Sequence, residues 1–272
     1  MAKTIFITGA SRGFGKLWAE ALLERGDNVV ATARKIGDLD DLVSKYGNKI
    51  LPLQLNVDNR TADFEAIAKA KSHFGSIDVL INNAGYGLFG SIEETSEDEA
   101  RAQIETNFFG LLWLTQAALP IMREQGHGHI IQLSSIVGLV TFPVLGIYNA
   151  SKFAVEGLSE SLAAEVKGFG INVTLLEPNG YATDWAGASA VQTTGIPEYD
   201  GVKASFQAGL TDDFFGVPAA TVPAVLSLID NENPPVRLML GKYAFPIISG
   251  AYQARLKEWE ASVEVSNAAH GK

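Results

Sequence analysis

Tyr148 and Lys152 are four residues apart, a spacing that places two side chains on the same face of a helix. A free tyrosine titrates at about pH 10, which is too high for a ready proton shuttle at neutral pH. A neighbouring ammonium group stabilises the phenolate and lowers this pKa. The pair therefore suggests a proton donor and acceptor, although an isolated Tyr-x-x-x-Lys pair is also a common accident on exposed helices.

Other polar residues fall where they could complete such a site. Ser135 lies thirteen residues before Tyr148, at the end of an apolar run without charged residues. Its hydroxyl could hold a carbonyl oxygen beside the tyrosine, and the adjacent Ser134 is the competing candidate. Asn107 occurs inside a predicted long helix, where a better helix former is expected. The sequence Asn82-Asn83-Ala84-Gly85 ends another apolar run.

The first apolar run leads into Thr8-Gly9-Ala10-Ser11-Arg12-Gly13-Phe14-Gly15, and a predicted helix follows. Gly9 permits a tight turn, while Gly13 and Gly15 let the backbone and the helix approach a pyrophosphate without a Cβ between them. The helix N-terminus supplies free N–H groups for the same anion. A plain glycine turn is the alternative, but the position between the first strand and the first helix favours a dinucleotide site.

The end of the second predicted strand indicates which dinucleotide binds. Sites for NAD carry a carboxylate there that accepts a hydrogen bond from the ribose hydroxyl. Here Ala33 stands at that position and Arg34 follows it, while Arg12 lies in the glycine loop. Two guanidinium groups can hold a 2′-phosphate through charge-assisted hydrogen bonds. We therefore predict NADP(H), with NAD as the alternative and an ordinary solvated arginine as the simpler explanation of Arg34.

Short apolar runs alternate with helical patterns along the chain, which predicts an α/β fold with a doubly wound parallel sheet. We expect about seven strands in a Rossmann-type arrangement, as a single domain over residues 1–272. The predicted strands are Thr4–Thr8, Asn28–Ala33, Ile50–Leu55, Asp78–Asn82, His129–Ser134, Asn172–Glu177 and Val236–Leu240. The predicted helices are Gly15–Gly26, Thr61–Phe74, Glu97–Glu124, Ser151–Lys167 and Pro218–Asp230.

Two segments depart from this alternation. Residues 184–216 follow a strand end and read as an irregular insert rich in small residues, with the large side chains Trp185, Tyr199, Phe206, Phe214 and Phe215. Such an insert is typical of a lid over a site, although a surface loop that docks its aromatic residues is also consistent. The tail, residues 242–272, could cover the pocket, pack against a partner or complete the core.

Composition excludes several classes of protein. The net charge is −10, which argues against nucleic-acid binding because that binding requires clustered cations. The absence of cysteine excludes disulfides and thiol nucleophiles, and the four histidines show no metal-ligand spacing with carboxylates. The N-terminal apolar run is too short for a signal peptide, and the uncharged stretch around Ser135 contains too many polar residues for a membrane span. We therefore expect a cytoplasmic protein that binds neither a metal nor a membrane.

Taken together, the glycine loop, Asn82-Asn83-Ala84-Gly85, Asn107, Ser135, Tyr148 and Lys152 resemble the short-chain dehydrogenase/reductase family in its shorter, single-domain branch. The resemblance spans roughly residues 3–241. It implies a catalytic tetrad of Asn107, Ser135, Tyr148 and Lys152. Tyr148 would exchange the substrate proton, Lys152 would lower its pKa and hold the nicotinamide ribose, Ser135 would orient the carbonyl, and Asn107 would anchor a water linked to Lys152.

The resemblance and the glycine loop together imply a set of cofactor contacts along the chain. These are Gly9, Ser11, Arg12, Gly13, Phe14, Gly15, Arg34, Asn56, Val57, Asn83, Ala84, Gly85, Tyr148, Lys152, Pro178, Tyr181 and Thr183. Two positions depart from the family pattern: Asn179 replaces a usual glycine, and Asn56 replaces a usual aspartate that meets the adenine. An asparagine tolerates unusual backbone angles, and its amide oxygen can still accept a hydrogen bond.

The resemblance implies an NADPH-dependent carbonyl reductase, reversible as a secondary alcohol dehydrogenase. The substrate would be an apolar ketone or alcohol, in a pocket lined by Leu88, Phe142, Tyr181, Trp185 and Phe206. An NAD-dependent alcohol or hydroxysteroid-type dehydrogenase is the alternative, and a non-catalytic dinucleotide sensor is a further one. Family members commonly pair through their two long helices, so we also expect a homodimer or homotetramer.

Overall fold

The computed structural model describes residues 2–183, 185, 187 and 190–271. Within these residues, seven parallel strands form one sheet in the order β3-β2-β1-β4-β6-β7-β9. The strands are β1 (Thr4–Ile7), β2 (Asn28–Ala33), β3 (Ile50–Gln54), β4 (Val79–Asn82), β6 (Gly128–Leu133), β7 (Ile171–Pro178) and β9 (Arg237–Leu240). The predicted Rossmann-type fold is confirmed, and the seven predicted strands differ from the observed ones only at their ends.

Two very short strands lie outside this sheet. They are β5 (Leu88–Phe89) and β8 (Val191–Gln192), which pair with each other in parallel. The main sheet reverses its strand order between β1 and β4. In open parallel sheets, ligands bind beyond the carboxyl ends of the strands at such a reversal.

Helices cover both faces of the main sheet. The α-helices of the described residues are α1 (Gly13–Glu24), α2 (Asp40–Tyr46), α3 (Arg60–Phe74), α4 (Glu97–Ile104), α5 (Leu111–Gln125), α6 (Gly146–Val166), α7 (Asp200–Gly209), α8 (Val222–Asp230), α9 (Ala244–Ala261) and α10 (Val263–Ala269). One face packs Trp18 and Leu22 of α1 against strand residues such as Ile5. The other face packs Ile67 of α3 and Leu114 of α5. Both faces of the strands are therefore buried, which explains their continuous apolar sequences.

The predicted helix Glu97–Glu124 is not one regular α-helix. The predicted capping box is present, since Glu99 N–H donates to Ser96 Oγ and Ser96 N–H donates to a Glu99 carboxylate oxygen. After α4, however, residues Glu105–Gly110 form a π-helical segment before α5 begins. Asn107 lies in this segment, and insertions of this kind occur frequently at functional sites.

Several helical regions were missing from the sequence prediction or misplaced in it, and α2 is one that was missing. Helix α6 begins at Gly146, five residues before the predicted start at Ser151, because Asn149 N–H already donates to the Leu145 carbonyl at 2.7 Å. The insert is not wholly irregular, since it contains α7. The tail forms α9 and α10, and Ala244 and Ile248 of α9 are buried in the apolar cluster that contains Tyr148.

No helix within the described ranges has the length and apolar character needed to cross a membrane. The insert is described only in part, because Asp184, Ala186, Ala188 and Ser189 lie outside the described residues. Its remaining residues include Trp185, α7 and the two phenylalanines Phe214 and Phe215.

Asp63 of α3 gives the fold a pH-dependent element. Its side chain is fully buried, and neither carboxylate oxygen has a hydrogen-bond partner among the described residues. Burial, with a smaller contribution from the charge of Asp58, raises the pKa of Asp63 to about 8. The folded state therefore prefers the protonated acid. The free energy of unfolding therefore has its full value, as far as Asp63 is concerned, below the ordinary aspartate pKa of about 4. It decreases as the pH rises towards 8, because the unfolded chain then ionises Asp63 and the folded chain does not.

We expect Asp63→Asn to remove this dependence, because an amide stays neutral at every pH tested. Near pH 5 the variant and the wild type should unfold at similar temperatures, whereas at pH 9 the variant should be the more stable protein. Thermal unfolding across this range measures the difference. The control is Glu65→Gln on the exposed face of α3, and an equal offset at both pH values for Asp63→Asn would contradict the assignment.

Candidate active site

A large cavity lies beyond the carboxyl ends of the central strands. Its volume is about 670 Å³, and its wall is formed by residues after β1, β2, β4, β6 and β7. Polar residues and glycines surround one end, and aromatic and aliphatic side chains surround the other. The cavity is thus large enough for a small-molecule ligand and is divided chemically along its length.

The glycine loop closes the polar end. Gly9 and Gly13 adopt positive φ angles of 66° and 55°, which glycine reaches without steric cost. A Cβ on Gly15 would lie 2.3 Å from the Gly9 carbonyl oxygen and 2.6 Å from Asn83 Nδ2. Gly15 does not line the cavity, so its role is to allow this close approach. The loop then delivers the N-terminus of α1 to the cavity, as a bound pyrophosphate requires.

Hydrogen bonds join this loop to the residues after β4. The backbone N–H groups of Asn83 and Ala84 both donate to Thr8 Oγ1 at 2.9 Å. Asn83 Nδ2 in turn donates to the Thr8 carbonyl at 2.8 Å and the Gly9 carbonyl at 3.1 Å. Asn83, Ala84 and Gly85 also line the cavity. The asparagine side chain therefore fixes the loop and the opposite wall as one unit.

Arg12 and Arg34 both line the polar end beside the buried Ala33. Their guanidinium groups form no salt bridge within the described part of the chain, and both residues are exposed. Asp58 also lines this end, but its carboxylate accepts a hydrogen bond from Thr106 Oγ1 at 2.8 Å. The position after β2 thus carries positive charge and no carboxylate.

Ser135, Tyr148 and Lys152 lie together where the polar and apolar ends meet. Ser135 Oγ donates to the Pro178 carbonyl at 3.4 Å and accepts from Val137 N–H at 3.3 Å. Lys152 Nζ donates to the Leu133 carbonyl at 2.7 Å and lies 5.7 Å from the centre of the Tyr148 ring. Tyr148 is in the first turn of α6, so the helix that starts earlier than predicted carries both Tyr148 and Lys152.

Burial decides the protonation of these groups. It lowers the pKa of Lys152 to about 8, and the nearby carboxylate of Glu156 partly opposes this shift. Burial also raises the pKa of Tyr148, while a hydrogen bond with Ser135 acts in the opposite direction. Lys152 is not among the groups that shift the pKa of Tyr148 in the chain alone, so the expectation that Lys152 lowers this pKa stays a prediction.

Asn107 is buried behind the cavity and does not line it. Its Nδ2 donates to the Tyr86 carbonyl at 3.0 Å and to Ser151 Oγ at 3.2 Å, while its Oδ1 accepts from Tyr86 N–H at 3.1 Å. A Cβ on Gly85 would lie 3.1 Å from Asn107 Oδ1 and 3.9 Å from Lys152 Nζ. The side chain thus holds the segment after β4 against α6, and the water-anchoring role stays a prediction.

Pro178, Tyr181 and Thr183 line the cavity after β7, as do Asn56 and Val57 after β3. Asn179 also lines it, and its Nδ2 donates to the Phe214 carbonyl at 2.9 Å. Asn179 is not among the residues with positive φ, so the tolerance of asparagine for unusual backbone angles is not needed here. Its amide instead ties the end of β7 to the insert.

The apolar end contains Phe142, Tyr181, Trp185 and Phe206, as predicted, but not Leu88. The next residue, Phe89, lines the cavity in its place, since successive side chains of an extended segment point in opposite directions. The Trp185 ring lies 4.9 Å from the Tyr148 ring and 5.4 Å from that of Phe89.

Several wall residues were not identified from the sequence. On the apolar side these are Tyr86, Ile136, Val137, Leu145, Ala190, Val191, Leu210, Phe214 and Phe215. Phe214 and Phe215 belong to the insert that the sequence singled out, and Ile136 to Leu145 connect Ser135 to Tyr148. Position between two predicted site residues was thus a usable signal, whereas nothing local distinguishes Tyr86 or Leu210.

Comparison with known proteins agrees with this geometry. Residues 3–193 match the family model described as short chain dehydrogenase. The oxidoreductase BOA17 of Botryotinia fuckeliana is 41% identical over 245 residues, covering 89% of each chain. The 3-ketodihydrosphingosine reductase of Bacteroides thetaiotaomicron is 38% identical over 259 residues, covering 94% of this chain and 92% of the relative. The chain therefore belongs to the short-chain dehydrogenase/reductase family.

Solved structures extend the same comparison. A short-chain dehydrogenase from Streptomyces avermitilis superposes with a TM-score of 0.91, at 36% identity and 98% coverage of both chains. An alcohol dehydrogenase from Thermococcus sibiricus, complexed with 5-hydroxy-NADP, has a TM-score of 0.74, 27% identity, and coverages of 88% and 96%. A Burkholderia phymatum family member in complex with NAD has a TM-score of 0.82, 25% identity, and coverages of 96% and 95%. The chain is an oxidoreductase that uses a nicotinamide dinucleotide.

The glycine loop provides a direct test of the cofactor cradle. We expect Gly15→Ala to weaken dinucleotide binding at least tenfold, because the new methyl group collides with the Gly9 carbonyl and displaces the loop. Titration of the protein with NADPH, followed by fluorescence, measures the dissociation constant. Gly157→Ala in α6 is the matched control, since its Cβ would have no atom within 4 Å. Unchanged NADPH affinity in Gly15→Ala would contradict the assignment.

Proposed function

We propose that this protein is an NADPH-dependent reductase of apolar ketones that also oxidises the corresponding secondary alcohols. One observation carries the proposal: a proton donor lies at the junction between a cationic end and an apolar end of the same cavity. The cationic end suits a phosphorylated dinucleotide, and the apolar end suits an uncharged substrate. The reduction of a ketone is also supported by a relative whose name states such a reaction, the 3-ketodihydrosphingosine reductase.

The preference for NADP(H) rests on charge at the end of β2. Arg12 and Arg34 line the cavity where an NAD site would place a carboxylate, and Ala33 stands at that position. Two arginines without salt-bridge partners in the described residues can each form charge-assisted hydrogen bonds with a 2′-phosphate. Structures of similar proteins contain either NADP or NAD, so the argument depends on this chain's own residues.

Bound NADPH supplies the hydride to the carbonyl carbon. The residues of the chain bind the cofactor, orient the substrate and protonate its carbonyl oxygen. The glycine loop would hold the pyrophosphate, Arg12 and Arg34 the 2′-phosphate, and Lys152 the nicotinamide ribose. Ser135 donates a hydrogen bond to the carbonyl oxygen of the substrate. Tyr148 donates its hydroxyl proton to that oxygen as the C–H bond forms, and it takes the proton back when the alcohol is oxidised.

Reduction uses the protonated hydroxyl of Tyr148. A buried tyrosine with this shift stays protonated at neutral pH, which is the form that can donate to a carbonyl oxygen. Oxidation requires the phenolate, so we expect oxidation to become faster as the pH increases. The ammonium group of Lys152, with a pKa of about 8, would stabilise this phenolate when it forms.

We further propose a cytoplasmic homodimer or homotetramer that binds neither nucleic acid nor membrane. The net charge of −10 disfavours contact with phosphate backbones. Helices α5 and α6 would pair with those of a second copy. Phe153 of α6 is 37% exposed, and the Phe109 and Trp113 rings stack at 5.6 Å. These aromatic side chains are suited to such an interface.

We expect Tyr148→Phe to abolish ketone reduction while NADPH binding stays within about threefold of the wild type. The phenylalanine ring keeps the contact with Trp185 and removes only the proton donor. Steady-state reduction of a 2-alkanone and a fluorescence titration with NADPH measure the two properties. Tyr252→Phe, on the partly exposed face of α9, is the control. Near-normal turnover by Tyr148→Phe would refute the proton-donor role.

We expect Arg34→Ala to raise the Michaelis constant for NADPH about ten- to a hundredfold and that for NADH much less. A charge-assisted hydrogen bond contributes about 1.5–3 kcal/mol, which corresponds to this range. Ala33→Asp should shift the preference towards NADH, because a carboxylate repels the 2′-phosphate. Lys35→Ala, which removes the neighbouring cation outside the cavity wall, is the control. A wild-type preference for NADH would overturn the NADP(H) proposal.

A further inference from the structure

A second cavity of about 660 Å³, which is open to solvent and has exposed lining residues such as Val202, lies between helix α7 and the segment before α6. Pro143, Val202 and Gly209 belong to its wall and not to that of the first cavity. The wall is predominantly apolar, and Glu198 is the one charged side chain among its described lining residues. The catalytic arrangement above does not use this space.

The two cavities are neighbours that share part of their walls. Phe142, Phe206, Leu210 and Phe214 line both of them. Each of these side chains is partly buried, and Phe142, Phe206 and Phe214 pack against the apolar cluster that contains Tyr148, so the partition is apolar and continuous with the wall of the first cavity. Three of the four belong to the insert after β7. The partition thus lies on the apolar side of the first cavity, next to the wall that carries Trp185 and Tyr148.

The charged residues in the walls of the two cavities restrict which substrates can bind. Among the described lining residues, the cations of the first cavity are Arg12, Arg34 and Lys152, at the cofactor end or the catalytic junction. The second cavity has no lysine or arginine in its described wall and has the carboxylate of Glu198. A substrate with a terminal carboxylate would therefore meet no partner there and a like charge instead.

We propose that the two cavities together bind one elongated, neutral ketone with a long apolar chain. The carbonyl group lies at Tyr148, and the chain passes the partition at Phe206 and enters the second cavity. This inference rests on the proposed ketone reduction for the position of the carbonyl group. It adds a distal subsite that selects substrates by chain length and by the absence of charge at the far end.

Helix α7 offers a substitution that fills only the second cavity. Gly201 lines that cavity and not the first, and an added Cβ would meet no atom within 4 Å. Gly201→Phe therefore adds a large apolar side chain at the wall of the distal subsite without a clash at its Cβ. Ala204→Phe is the matched control, because Ala204 is exposed on the same helix and lines neither cavity.

The experiment measures kcat/KM for the series of 2-alkanones from 2-hexanone to 2-tridecanone with NADPH. In the wild type and Ala204→Phe, kcat/KM should rise with chain length by up to about fourfold for each fully buried methylene. In Gly201→Phe, 2-hexanone should react as in the wild type, whereas 2-tridecanone should react at least tenfold more slowly. A ketone of the same length with a terminal carboxylate should be a poor substrate for all three proteins.

Binding without NADPH separates this inference from the proposed reaction. Titration of tryptophan fluorescence with 2-tridecanone should give at least tenfold weaker binding to Gly201→Phe than to Ala204→Phe. This result would support the distal subsite even if no ketone were reduced, an outcome that would refute the proposed function alone. Equal affinities, or a Gly201→Phe defect that is the same for every chain length, would overturn the distal subsite while leaving ketone reduction intact.

Discussion

The arrangement of the site depends on the hydrogen-bonded junction between the loop after β1 and the segment after β4. Thr8 accepts two backbone N–H groups through its hydroxyl, and the Asn83 side chain returns two hydrogen bonds to the glycine loop. The junction closes only because Gly15 has no Cβ. It fixes the N-terminus of α1 on one side of the cavity and Gly85, which neighbours Asn107 and Lys152, on the other. The dinucleotide cradle and the catalytic helix are thereby held in one frame.

A second, buried network holds helix α6 against the sheet. Arg237 Nε of β9 lies 3.2 Å from a Glu156 carboxylate oxygen and 3.3 Å from one of Glu177. One guanidinium group thus serves two buried acids. Burial, together with the charge of Glu156, raises the pKa of Glu177 to about 8 despite Arg237, so Glu177 is mainly neutral at pH 7. Glu156 is one helical turn from Lys152, and its charge partly opposes the lowering of the Lys152 pKa by burial.

The two ends of the cavity differ in the chemistry of their lining residues. Its cations are confined to the cofactor end and the catalytic junction, whereas the insert contributes aromatic and aliphatic groups at the other end. Asn179 connects the two regions, since it lines the cavity after β7 and donates to the Phe214 carbonyl. A change in the insert can therefore alter the apolar wall without touching the glycine loop, Arg12 or Arg34, which is consistent with a family in which one fold serves many substrates.

The sequence by itself determined the strands, the glycine loop and the grouping of Ser135, Tyr148 and Lys152. Local patterns predict these features: continuous apolar runs indicate buried parallel strands, and glycines occur where no Cβ fits. It also placed Phe142, Trp185 and Phe206 near the site, because they follow the strand ends at which parallel sheets bind ligands. The start of α6 and the helices α2, α7, α9 and α10 were missed, and for α9 the burial of Ala244 and Ile248 shows that contacts with the body of the protein help to select the helical state.

Only the tertiary structure decided the features that depend on burial and on distant neighbours. Phe89 lines the pocket wall and the predicted Leu88 does not, because the direction of each side chain on this two-residue strand is set by pairing with Val191–Gln192. The tertiary structure placed Asn107 in a π-helical segment, where the Asn107 side chain donates a hydrogen bond to the Tyr86 carbonyl. Burial raises the pKa of Tyr148, an effect that depends on everything packed around the ring and that no local pattern in the sequence reveals. Spacing along the chain reveals which groups can meet, whereas packing in three dimensions sets their environment.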